Sequence, residues 1–320
     1  MKSADADEND AVTALLSGER ERRRHMKAGE KCINCLRRNG ERMTGQADFP
    51  AEKREEARER IEQILAKREV DTAPELYTEI ISVVGEYKDV YDMYREIKKS
   101  YNDLLLSLED EITEEIRSSS DPLFAGIQYA IMGNYIDVSS PAGVQEERFK
   151  ELMRNRGQIK VDETQLQKLR EQLACGHRLL YIADNAGEIV LDKFFIRVLK
   201  ELYPQLEIAV MVRGDVVLND ATVEDALLVG MDQVAEIVSN GTNVAGTPLE
   251  RLGAEAKEWF ETSDIRIAKG QGNFETLHGT GEDVFFLFLC KCSIFHEMFD
   301  VEPLAPMLVN EQDISERCAG

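Results

Sequence analysis

Along the first half of the chain, apolar residues recur at three- and four-residue intervals, the spacing of one face of a helix. Pro50 precedes a run from Ala51 to Arg68 in which Ile61, Ile64 and Leu65 keep that interval. Thr72-Ala73-Pro74-Glu75 has the form of a capping box with proline in the first turn, and Leu76, Ile80, Val83 and Val84 mark the apolar face of the helix it opens. Tyr101, Leu104, Leu105 and Leu108 carry the helical pattern on to about Ile116. Ser118-Ser119-Ser120-Asp121-Pro122 breaks it, and a further helix is predicted from Leu123 to about Met132. No strand pattern occurs before about residue 177.

The second half alternates. Leu179 to Ile182, Ile208 to Val212, Val234 to Val238, Ile265 to Ala268 and Val284 to Leu289 are short apolar runs, and Val190 to Leu202 and Thr222 to Val229 read as helices among them. Short apolar runs interleaved with helices predict a parallel sheet covered on both faces. The expected architecture is α/β: a Rossmann-like parallel sheet with helices on both faces over 176–320, preceded by an all-helical region over 31–175. Residues 1–30 are charge-rich, notably Arg20 to Arg24, and predict a frayed or disordered tail.

Composition narrows the function classes. The 320-residue chain is 43% hydrophobic, sufficient for a full core. Its longest apolar run, Val284 to Cys290, is too short to span a bilayer, and Met1-Lys2-Ser3-Ala4-Asp5 does not start a secretory signal. A formal charge of −22 repels nucleic acid and anionic lipid. Neither is expected as a partner, and an anionic substrate would need local cations or metal. Six cysteines without a secretory signal point to reduced thiols or a metal half-site, in the cytoplasm.

Three loops follow strands, where α/β sheets gather their ligands. Asp184-Asn185-Ala186-Gly187-Glu188 offers a carboxylate and an amide oxygen, ligands suited to hard divalent cations; the plainer role is helix capping. In Arg213-Gly214-Asp215-Val216-Val217-Leu218-Asn219-Asp220-Ala221-Thr222, Thr222 caps the next helix with Asp225 as its partner, which leaves Asp220 for a metal or for solvent. Lys269-Gly270-Gln271-Gly272-Asn273-Phe274-Glu275 is a glycine-rich turn able to bring backbone N–H groups against an anion. Lys291 sits in the apolar stretch Phe285 to Cys292, where a lysine pairs with an anion or snorkels to water from a sheet edge.

These loops, in this order, resemble those of the damage-control phosphatases, over about Cys32 to Pro306. Gly133-Asn134-Tyr135-Ile136-Asp137 is similar to the family's Gly-Asn-x-x-Asp segment, and Cys32-Ile33-Asn34-Cys35 to the CxxC of its prokaryotic branch. The resemblance implies metal-dependent hydrolysis of phosphate monoesters of small, damaged or side-product metabolites, with an activated water as nucleophile. It implies one divalent cation (Mn, Co, Ni or Mg) held by Asp184, Asn185 and Asp220. It further implies a phosphate and substrate site of Asn134, Asp137, Glu188, Lys269, Gly270, Gln271, Gly272, Asn273 and Lys291, with Asp184 and Lys291 catalytic. The sugar-phosphate branch carries Arg-Thr-x-Lys where this chain reads Phe288-Leu289-Cys290-Lys291, so sugar-phosphate specificity does not carry over.

Cys32 and Cys35 are structural thiols, a redox pair or half of a zinc site, with His25, or Cys175 and His177, as remote partners. Cys290 and Cys292 read as core residues, and His278 and His296 as structural. Two other readings compete with the phosphatase: an S-adenosylmethionine-dependent methyltransferase, whose cofactor loop Asp184 to Gly187 faintly matches, and a non-catalytic phosphometabolite-binding or zinc interaction module.

Overall fold

The computed structural model describes residues 26–67, 71–135 and 146–317. Most of the charged N-terminal segment, with the tail expected there, lies outside the described residues, as does Asp137.

Among the described residues, eight α-helices come first: α1 (Glu30–Thr44), α2 (Arg54–Leu65), α3 (Ala73–Gly85), α4 (Asp92–Leu106), α5 (Glu109–Arg117), α6 (Pro122–Gly133), α7 (Glu146–Arg154) and α8 (Glu163–Cys175). The capping box at Thr72 forms in full: its hydroxyl accepts from the Glu75 amide, and the Glu75 carboxylate accepts from the Thr72 amide at 3.0 Å. Asp121 caps α6 from within the serine-rich break. The long apolar pattern from Tyr101 onward is two helices rather than one, parted at Ser107 and Leu108.

Strands and helices then alternate: β1 (Arg178–Ile182), α9 (Glu188–Leu202), β2 (Glu207–Val212), α10 (Val223–Leu228), β3 (Glu236–Ser239), α11 (Ala254–Thr262), β4 (Ile265–Lys269), α12 (Gly270–Leu277), β5 (Phe285–Cys290), α13 (Ser293–Phe299), β6 (Ala305–Asn310) and α14 (Glu311–Arg317). The six strands form one sheet in the order β3-β2-β1-β4-β5-β6. β1 to β5 are parallel, and β6 pairs antiparallel with β5. The fold is thus the expected Rossmann-like α/β sheet behind a helical region, with an antiparallel edge strand added.

Alternate residues of the strands enter different cores. Leu179 and Tyr181 of β1 pack with α6 and α9, whereas Leu180 and Ile182 pack with α11, α12 and α13. Burial on both faces explains why β5 reads as an unbroken apolar run. A third core joins α1, α2 and α3. Helices after about residue 105 share the core of the sheet, so packing does not divide at residue 175 although the strands begin there.

The order in which strands are added reverses at β1: β2 lies on one side of β1, and β4 on the other. Both strands run parallel, so their carboxyl ends open a crevice between two helix starts.

Candidate active site

Two loops zip together at that crevice. The Ala221 amide donates to the Asp184 carbonyl at 2.8 Å and the Ala186 amide to the Asn219 carbonyl at 2.9 Å, making an isolated antiparallel bridge between Asn185 and Asp220. Backbone pairing therefore brings Asp184, Asn185 and Asp220 side by side from strands 1 and 2. Gly187, with φ of 79°, turns the chain into α9, and its amide donates to Asn102 Oδ1 of α4 at 2.6 Å.

Arg213, at the end of β2, joins the two carboxylates. Its Nε donates to Asp220 Oδ2 at 2.7 Å, and its Nη2 lies 3.6 Å from Asp184 Oδ1. The guanidinium is 1% exposed, and that Nη2 has no hydrogen-bond partner. Burial, then the neighbouring Asp220 and Glu188 carboxylates, push the Asp184 carboxyl well above the usual range, while Arg213 and Lys291 pull it back. Asp220 is raised as well, by burial first, against the opposing pull of Arg213.

The third loop arrives from β4 as a helix start. Gly270 opens α12 with φ of 77°, and a Cβ there would stand 2.0 Å from Asp184 Oδ2. Only glycine lets the helix N-terminus press against that carboxylate. At Gly272 a Cβ would meet the Ala245 carbonyl oxygen at 2.1 Å. The first N–H groups of a helix have no intrahelical acceptors, and a helix start of this kind can bind anions.

Three loops thus deliver two carboxylates, a carboxamide and a helix N-terminus to one switch point. The damage-control phosphatase ARMT1-like domain matches this chain over residues 25–304. The chain belongs to that family. It is 29% identical over 273 residues to "Damage-control phosphatase PH1575" of Pyrococcus horikoshii, covering 83% of this chain and 92% of that protein. It is 32% identical over 222 residues to a damage-control phosphatase of Archaeoglobus fulgidus, covering 68% of this chain and 75% of the other. The crystal structure of the Pyrococcus protein, described as a DUF89 family protein, superposes with a TM-score of 0.76 at 28% identity over 90% of this chain and 100% of that one. Membership of the damage-control phosphatases supports a phosphatase enzyme.

Within this damage-control phosphatase fold, several side chains differ in placement from what the sequence suggests. Lys269 does not reach into the crevice. Its ammonium is 0% exposed and donates to Glu188 Oε1 at 2.5 Å, Asp192 Oδ1 at 2.7 Å and the Ala130 carbonyl at 3.0 Å, so all three of its protons have acceptors inside the protein. Burial would depress Lys269, but Asp192 and Glu188 hold it charged. Tyr181 donates to the same Asp192 oxygen at 2.6 Å. Asn273 is likewise occupied: its oxygen accepts from Arg213 and Thr247, and its nitrogen donates to the carbonyls of Ala183 and Lys269. Both side chains are thus engaged by protein partners behind the loops.

Glu188 and Asn134 form the adjoining wall. Asn134 donates to Glu188 Oε2 at 2.9 Å and accepts from the Leu289 amide at 3.1 Å, tying α6 to α9 and β5. A Cβ on Gly133 would lie 2.8 Å from Glu188 Cγ, which explains glycine before this asparagine. Gln271 accepts from the Lys291 amide at 3.1 Å.

Lys291 is exposed, not enclosed in a dry crevice, because β5 ends at Cys290 and the lysine stands just past it. It is still near enough to Asp184 to favour that carboxylate. Arg213, Asp192 and Tyr181 had no role in the sequence reading. An arginine closing an apolar strand run was a legible sign at Arg213, whereas the Asp192 and Tyr181 pairing depends on a helix folding over a strand.

The residues present fit a divalent cation by donor chemistry: two carboxylates and an amide, all able to offer oxygen, crowd one point. Asn185 turns its nitrogen to Asp184 Oδ2 at 2.6 Å and its oxygen to Asn219; a half-turn of the amide exchanges the two. Among the described residues, no three His, Cys, Asp or Glu side chains form a metal-holding group, so neither Cys175 nor His177 completes a zinc site with Cys32 and Cys35. Cys290 is buried and Cys292 half-buried, while His278 pairs with Glu311 at 2.9 Å and His296 with the Cys290 carbonyl.

Proposed function

We propose that the protein is a metal-dependent phosphatase that hydrolyses phosphate monoesters of small, damaged or side-product metabolites. The convergence of Asp184, Asn185 and Asp220 against the glycine-led start of α12 carries this reading. Asp184, Asn185 and Asp220 would hold one divalent cation (Mn, Co, Ni or Mg), which when bound supplies Lewis-acid polarisation of the phosphoryl group and activation of the attacking water. The N–H groups of Gly270, Gln271 and Gly272 take phosphoryl oxygens at the helix start. Lys291 offers a cation at the crevice mouth, which matters in a chain of net charge −22. Arg213 orients Asp220 and sets its charge against both carboxylates. Lys269 and Asn273 keep Glu188 and the strand ends in place, so donors aimed at the developing charge need no reorganisation. Water adds to phosphorus, and the alcohol leaves with a proton.

Among the described residues no helix is long and apolar enough to cross a membrane, and Cys32, Cys35, Cys175, Cys290 and Cys292 are free thiols. Free thiols favour a reducing compartment, and we place the enzyme in the cytoplasm. The test is metal removal. Chelator-treated, metal-stripped protein should lose hydrolysis of a simple aryl phosphate, and Mn²⁺, Co²⁺, Ni²⁺ or Mg²⁺ should restore it. Full activity in the stripped sample overturns the metal requirement.

A further inference from the structure

A cavity of about 610 Å³ lies beside the loop that carries Asp220, between α4 and the segment joining β2 to α10. Tyr91, Tyr94, Leu106, Val216, Leu218 and Leu228 give it a largely apolar wall. Three observations tie it to the site. Asn102, on its wall, accepts from the Gly187 amide where the Asp184 loop turns into α9. Leu218, on the opposite wall, stands two residues before Asp220 with φ of 47°, a left-handed conformation that a branched side chain rarely adopts. Tyr94 lines the cavity from α4, the same helix that carries Asn102.

The lining also has a sign. It holds three cations against five carboxylates, and its buried cation, Lys98, is neutralised by Asp225 at 2.6 Å. An extra negative charge on a ligand would find no welcome there. The volume falls in the range of pockets that take ligands larger than a triose, and tyrosine faces favour flat groups.

We propose that this cavity receives the leaving group, and that it selects monophosphate esters whose leaving group is neutral or cationic and carries a flat apolar portion. Tyr94 and Leu218 are the specificity-determining residues. This inference rests on the phosphatase reading above.

The experiment compares benzyl phosphate, glycerol phosphate and 4-carboxybenzyl phosphate with Mn²⁺-loaded protein. The wild type should show kcat/KM about tenfold higher for benzyl phosphate than for either other ester. Tyr94→Ala and Leu218→Gly should each lower the benzyl-to-glycerol ratio by roughly fivefold to tenfold, mostly through KM, the usual weight of one aromatic or aliphatic contact. Leu228→Ala, at a side chain 69% exposed and hence safe for folding, should lower it by a smaller factor. Ratios unchanged in all three variants, or a preference for the carboxylated ester, overturn the proposal. Calorimetric binding of benzylphosphonate separates the two claims. If no ester is hydrolysed but the phosphonate binds the wild type several-fold more tightly than Tyr94→Ala, the recess stands and the phosphatase reading falls. If esters are hydrolysed and the phosphonate binds both proteins equally, the recess falls alone.

Discussion

Lys269 and Lys291 divide a task that one-dimensional reading assigns to both. Lys269 is buried among Glu188, Asp192 and the Ala130 carbonyl, and its charge stabilises the floor of the site. Breaking such a triad by removing the lysine would leave uncompensated carboxylates in the interior, at a cost of about 3–5 kcal/mol. Lys291 is exposed, so its removal leaves no buried charge unpaired. Lys291→Met is therefore expected to keep the wild-type melting temperature, with stability within about 0.5 kcal/mol. Turnover is expected to fall roughly a hundredfold, the loss typical of one charge contact to the transition state. Thermal melts beside a turnover assay check both, and a variant with wild-type turnover would remove Lys291 from the catalytic set.

At the scale of elements, α12 has two ends with different duties. Its start is a pair of glycines pressed against Asp184 and Ala245, whereas Glu275, further along, is half-buried. Burial pushes the Glu275 carboxyl up from 4.5 to about 7. Between those values the native state keeps a proton that the unfolded chain has released. The stability this adds is complete below about pH 4.5 and is lost as pH rises through 7. With part of the side chain in water, the effect is on the order of 1–2 kcal/mol. Glu275→Gln keeps the shape without the ionisation, so its melting temperature relative to wild type should rise between pH 5 and pH 8. A difference independent of pH would show that Glu275 titrates as it does in the unfolded chain.

At the scale of the whole molecule, the net charge of −22 acts on everything at once. Like charges spread over one compact body repel, and salt screens that repulsion. Raising sodium chloride from about 20 mM to about 300 mM should lift the melting temperature by about 2–4 °C, the shift that about 1 kcal/mol makes in a chain of this size. A melting temperature that falls with salt would mean that the ion pairs outweigh the net repulsion. The two carboxylates beside Arg213 and the buried Lys269 triad are shielded from solvent and should respond least.

The sequence by itself determined the class of the fold and the identity of the loops. Apolar runs that alternate with helices already imply a parallel sheet, because strands buried on both faces have no polar side to display, and β5 with its six buried residues is the clearest case. Capping boxes at Thr72 and Thr222 were legible because they are contacts between residues three apart. β6 was not, since Ala305 to Asn310 carries two polar-tolerant ends and pairs only with the edge of β5. The two-fold division of the long helical pattern at Ser107 also escaped, as the apolar period runs through the break. What only the tertiary structure decided was where each charged side chain points. Arg213 between two aspartates, Lys269 under α9 and Lys291 in solvent differ by burial and by partners up to 139 residues away, and no local pattern encodes a contact across that distance.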